Sequence, residues 1–269
     1  MFWQNQYMGT LVLLHAHPDD EAIATGGTMA RAAAEGHRVV LVCATRGELG
    51  EVADGFLDDG ETLAERRVAE VHAAAKILGA ERVAFLDYRD SGMEGEPTAT
   101  DPECFAMADV DEAAARLAKI LTEEDAEVLT VYDERGNYGH PDHIQVHHVG
   151  IRAAELANTP RVYEATINRD HLLALMAARA EEMAAIEGAP NPEEMNLGMP
   201  AEVITTTVDV RPFVATKRAA MAAHASQIND ESFFMVMPEE AFLAAFGQEW
   251  FIRRGPDRAA VEDTLFPVS

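Results

Sequence analysis

Four short runs of apolar and β-branched residues, each followed by a helix-forming stretch, constrain the fold of this chain more than any other feature. They are residues 11–15 (LVLLH), 38–44 (RVVLVCA), 82–87 (RVAFLD) and 127–132 (EVLTVY). Strands that are apolar throughout must be covered on both faces, and helical crossovers over a parallel sheet do this. The pattern predicts helices over 21–35, ended by Gly36; over 63–78, ended by Gly79; over 110–122; and over 143–156. The expected fold is therefore α/β: a Rossmann-like, doubly wound, mostly parallel sheet flanked by helices. After residue 165 the pattern loosens. Residues 161–166 and 203–210 read as strands, 169–186 and 211–225 as helices, and 189–200, with three prolines and a glycine, as a loop. A single α/β unit over 1–269 is expected, with a Rossmann-like core in 1–165 and a less regular part, 166–269, shaping a pocket.

Composition narrows the function. A net charge of −26 disfavours nucleic acid as a partner, because binding there depends on neutralising phosphates with Lys and Arg. No stretch approaches the ~20 apolar residues of a membrane span, and residues 1–10 lack the basic region and cleavage site of a signal peptide; a cytoplasmic protein is expected. The two cysteines, Cys43 and Cys104, have no CxxC partner. Any metal must then be held by nitrogen and oxygen.

In a doubly wound sheet, ligands bind outside the carboxyl ends of the strands. The first strand ends in His15-Ala-His17-Pro18-Asp19-Asp20-Glu21, and the fourth leads to Tyr138-Gly-His140-Pro141-Asp142-His143. A catalytic zinc takes three protein ligands and leaves a position for water. An imidazole and a carboxylate from the first loop, with an imidazole from the second, would supply them. Water there reaches a pKa near ~7, and a remaining carboxylate can take its proton. The competing reading has the acids 19–21 only capping the next helix, where they favour its positive end. That accounts for one acid, but not for a His-Pro-Asp sequence in both loops.

These residues resemble the PIG-L/LmbE family of zinc-dependent de-N-acetylases. The resemblance rests on HPDDE after the first strand, GHPDH after the fourth, Ala44-Thr-Arg-Gly-Glu48, Arg67-Val-Ala-Glu70, Arg89-Asp-Ser-Gly-Met93 and a late His224-Ala-Ser-Gln227. It implies an LmbE-like fold with zinc on His17, Asp20 and His143, and Asp19 as the base acting on water. It implies His140 as oxyanion partner or acid for the leaving amine, oriented and kept charged by Asp142. Tyr138 would help bind the substrate carbonyl, and Arg67 and Asp90 would contact sugar. Two nitrogens and an oxygen also suit iron(II).

The Arg89–Met93 stretch and residues 137–143 look most like the branch that deacetylates the N-acetylglucosaminyl-inositol precursor of mycothiol. The expected partner is thus a small N-acyl amino-sugar conjugate, and a homo-oligomer stays open. The alternatives are an amidase of mycothiol S-conjugates, a deacetylase of an antibiotic-type sugar, or a metal-binding protein without turnover. The last is disfavoured because Asp19 and His140 are both present. A dinucleotide-binding oxidoreductase fails for lack of GxGxxG in the first turn. His15 reads as packed behind the site, His147 as a weak candidate ligand, and His37, His72 and His171 as surface residues.

Overall fold

The computed structural model describes residues 8–178, 197–255 and 262–266. Its centre is β1 (Thr10–His15), buried at every position. In parallel it pairs with β2 (Arg38–Cys43) on one side and β4 (Val128–Tyr132) on the other. The sheet runs β3-β2-β1-β4-β5-β7-β6, with β3 at Arg82–Phe85, β5 at Arg161–Thr166, β6 at Thr206–Asp209 and β7 at Gln248–Arg253. β7 lies antiparallel to both β5 and β6. Strand order reverses between β1 and β4, so the loops after these two strands open onto a common crevice.

Alternation along β1 divides the core. Leu11 and Leu13 join the apolar cluster on one face, with Met29, Val71 and Leu78, whereas Val12 and Leu14 join the other, with Leu117 and Val149. The first face is covered by α2 (Gly26–Ala34), α3 (Leu63–Leu78) and α7 (Val214–Ala222); the second is covered by α4 (Val110–Glu123) and α5 (Pro141–Ala157). Thr62 and Glu65 form a reciprocal capping box at the start of α3, worth about 1 kcal/mol. A Cβ on Gly150 would lie 2.1 Å from a methyl carbon of Val131. Only glycine lets α5 lie this close to β4.

The expected helix over 21–35 is two helices, α1 (Asp20–Ala24) and α2, broken at Thr25. The cause lies at the far end of the chain. Glu249 takes the Gly27 and Thr28 N–H groups on its two carboxylate oxygens, at 2.8 Å each. Towards the C-terminus, α6 covers Arg169–Ala178, and the rest of the helix expected over 169–186 lies outside the described residues. So does most of the expected loop over 189–200. The strand expected over 203–210 shortens to β6. The helix expected over 211–225 is a 3₁₀ turn, Arg211–Phe213, followed by α7. Among the elements not expected are α8 (Glu239–Phe246) and β7. His37 is buried, not a surface residue, and stacks on Phe266 with ring centroids 3.5 Å apart.

Candidate active site

Beyond β1 the chain turns sharply. Asp19 adopts φ 112° and ψ −33°, a left-handed conformation that side chains rarely tolerate. The turn separates the two aspartates. Asp20 Oδ2 accepts the His17 N–H at 2.9 Å and stands 3.4 Å from His17 Nδ1 and 3.3 Å from His143 Nε2. The Asp19 carboxylate points elsewhere, to Arg67 Nη2 at 3.1 Å. From the other loop, Pro141 opens α5 with His140 as its N-cap, and the first turn carries His143 inward. The His143 ring stacks on Tyr132 with centroids 4.4 Å apart.

Buried carboxylates grip the outer side of His17. Its Nε2 lies 3.1 Å from Asp142 Oδ2 and 3.4 Å from Asp90 Oδ1. Asp142 is fixed in turn by the Ser91 N–H at 3.0 Å and by a short bond from the Ser91 hydroxyl. Asp90 accepts the Leu49 and Gly92 N–H groups. A proton on Nε2 shared with these carboxylates leaves the Nδ1 lone pair directed at Asp20. Behind them, His15 bridges Tyr132 Oη at 2.7 Å and Thr25 Oγ1 at 2.9 Å. Burial lowers its pKa to about 4, so it is a neutral link.

The donor set fits a divalent metal. Bonds of roughly 2.0–2.1 Å to nitrogen and oxygen in a tetrahedron give ligand-to-ligand edges of roughly 3.3 Å, matching the 3.4 and 3.3 Å separations around Asp20. Among the described residues, the groupings whose ligand atoms all lie within 4.8 Å of one another are His17 with His140 and His143, and His17 with Asp90 and Asp142. In the second, both carboxylates already accept backbone N–H groups. The field also suits a cation. Burial opposes a charge on His17, but Asp142, Asp20 and Asp90 outweigh it and raise its pKa well above the ordinary value. Burial would likewise raise Asp20, yet His143 and His17 hold it well below the usual carboxylate range. Asp19 differs: burial and Asp20 outweigh Arg67 and push it up to about 6.

Sequence expectation and geometry part at three residues. The Asp142 carboxylate faces His17, not His140; what it offers His140 is its backbone N–H, donated to Nδ1 at 3.1 Å. His140 is not held charged either. Burial and the neighbouring charges of His17 and His143 lower its pKa to about 4. With Nδ1 accepting, the proton of the neutral ring sits on Nε2. Arg67 is buried and donates to Gly47 O at 2.7 Å, Pro18 O at 2.5 Å and Asp19. Gly47, at φ 64°, makes room for it, since a Cβ there would meet the guanidinium carbon at 2.4 Å. Tyr138 is half exposed, its hydroxyl 3.4 Å from His143 Nε2. His147 turns away from the cluster to Tyr132 O, at 3.0 Å.

Two participants escaped the sequence reading. In the sequence Ser91 stands only inside the Arg89–Met93 motif, and Glu21 has no role beyond the helix-capping alternative. Glu21 follows Asp20 in a five-residue helix and is fully buried (0 % exposed), which demands a partner.

A doubly wound sheet whose strand ends carry a carboxylate–imidazole cluster, with a second aspartate turned aside, fits a class: Rossmann-like hydrolases with a metal-binding centre. Comparison with known proteins gives the family. Residues 12–154 match the family model described as PIG-L, GlcNAc-PI de-N-acetylase. The 1D-myo-inositol 2-acetamido-2-deoxy-alpha-D-glucopyranoside deacetylase of Thermomonospora curvata is 38% identical, over 94% of this chain and 93% of that protein. Its counterpart in Thermobispora bispora is 41% identical, over 90% and 86%. Among solved structures, N,N'-diacetylchitobiose deacetylase from Pyrococcus horikoshii superposes with a TM-score of 0.59 at 22% identity, covering 91% of this chain and 84% of that one. The chain belongs to the PIG-L family and is a deacetylase, an amide hydrolase acting on C–N bonds other than peptide bonds. None of its described helices is long and apolar enough to cross a membrane.

Proposed function

We propose that this chain hydrolyses the acetamide of 1D-myo-inositol 2-acetamido-2-deoxy-α-D-glucopyranoside, releasing acetate and the free amine, with zinc held by His17, Asp20 and His143. The observation that carries the reading is the convergence of His17 Nδ1 and His143 Nε2 on Asp20 Oδ2, with a second carboxylate, Asp19, turned aside. The substrate follows the relatives' names.

When bound, the ion supplies Lewis acidity, polarising the amide carbonyl and acidifying water. Asp19 takes the proton of the attacking water as its oxygen adds to the carbonyl carbon. His140, neutral and protonated at Nε2, donates to the oxygen that gains charge, and Tyr138 covers it from the solvent side. The proton on Asp19 passes to the nitrogen as the C–N bond breaks. Arg67 acts on Asp19 and the Pro18 carbonyl, not on sugar. Asp142 and Asp90 steady His17, and Asp90 also borders the sugar. Residues 166–269 complete the pocket.

Amine release from the inositol conjugate, N-acetylglucosamine and N,N'-diacetylchitobiose tests the substrate. The inositol conjugate should have the highest kcat/KM. A preference for chitobiose, or for a mycothiol S-conjugate added as a fourth substrate, would refute it. His17→Ala should lose metal and turnover together, whereas His140→Ala should keep metal and lose turnover.

A further inference from the structure

Glu21 and His224 are both 0 % exposed, 203 residues apart in sequence, and their side chains meet at 2.6 Å between Oε1 and Nε2. An ion pair at such depth is costly to build, and an apolar pair of equal volume is often as stable. This pair has a further contact: Glu21 Oε2 accepts the N–H of Asp19 at 2.9 Å. Asp19 is the residue held at φ 112°. On its other side, Arg67 takes the Pro18 carbonyl at 2.5 Å and the Asp19 carboxylate at 3.1 Å. The two grips share an anchor. One turn after Arg67 on α3, Glu70 accepts the Ser226 N–H at 2.8 Å and the Ser226 hydroxyl at 2.6 Å, fastening the segment that carries His224.

We propose that Glu21 and His224 are positioning residues, which hold the Asp19 peptide in its left-handed conformation and thereby aim its carboxylate. The proposal rests on Asp19 being the base. It assigns the late 224–227 segment a role in catalysis exercised through the backbone, with no contact to substrate or metal.

The test compares Glu21→Met, which removes both acceptor atoms, with Glu21→Gln, whose amide oxygen still accepts from Asp19 while its amide nitrogen takes the place of the oxygen facing His224. Glu21→Met should keep its metal content and a KM within about twofold, lose about 10²-fold in kcat, and show Asp19 at negative φ in a crystal structure. Glu21→Gln should return kcat to within about fivefold of wild type. In an Asp19→Ala background, Glu21→Met should cost nothing further, because its effect passes through Asp19. Asp19 unmoved at positive φ, undiminished turnover, or an equal loss in the Asp19→Ala background would each overturn the proposal, as would metal lost in step with turnover. Should Glu21→Met fail to fold, His224→Asn, which shortens the donor, carries the same cycle and the same structure. Full turnover by Asp19→Ala alone would defeat the base reading, while the crystal structure still decides whether the pair sets the turn.

Discussion

Asp19 and Asp20 are adjacent in the chain, yet their carboxyls sit on opposite sides of the ordinary range. The difference lies in which charges each one faces. Asp20 looks at two imidazoles; Asp19 looks at one guanidinium from an otherwise desolvated position, with Asp20 as a like-charged neighbour. A base must be deprotonated to work, so turnover should fall as pH drops through the pKa of Asp19. That value is raised to about 6, and a bound cation pulls it lower. The acid limb of the kcat profile should therefore lie at or below pH 6, falling about tenfold per pH unit. Asp19→Asn should abolish the limb and lower kcat by about 10²–10⁴-fold. A limb centred above neutrality would contradict the assignment. The candidate residues themselves were legible because two His-Pro-Asp sequences at strand ends are hard to explain otherwise. The direction each carboxylate takes was not. Asp142 turning to His17 depends on the Ser91 loop, and the Glu21–His224 contact joins segments that no local pattern connects.

At the scale of elements, the site depends on how closely α5 approaches the sheet. Gly150→Ala would force a methyl into Val131 and lift the helix that carries His143. Overpacking of this kind costs about 1–3 kcal/mol, and the variant should lose metal affinity along with Tm. Unchanged metal affinity would separate the helix from the site. A second element-scale contact is the Glu249 carboxylate at the start of α2, buried with Lys217 Nζ at 2.5 Å. Glu249→Ala leaves that ammonium buried and unpaired, and should cost about 3–5 kcal/mol in a denaturant titration. The inner parallel strands were legible because continuous apolar runs admit few other readings. β7 was not, since Gln248-Glu-Trp-Phe-Ile-Arg253 is polar at three of its six positions. Its polarity is answered only in three dimensions, by Lys217 for Glu249 and Glu262 for Arg253. The helix break at Thr25 was hidden for the same reason: Glu249, which causes it, lies more than two hundred residues away.

For the whole molecule, a net charge of −26 sets the background. Self-repulsion at such a charge weakens the compact state, and the acids around His17 concentrate it at one point. A divalent ion relieves this locally. Metal at a hundred times its Kd stabilises by about 2.7 kcal/mol, or roughly 5–10 °C in Tm for a domain of this size. Removing it with a chelator should lower Tm by that amount, and adding zinc should restore it. A Tm indifferent to chelation would argue against a resident metal. The order of the sheet has another consequence, for synthesis. β7, late in the chain, lies between β5 and β6. While a ribosome is still making the residues between them, β5 presents an open edge and β6 has no strand to join. An unpaired edge is a template for a second chain. Translation stalled between residues 209 and 248 should therefore yield nascent chains that bind one another, and release of β7 should end it.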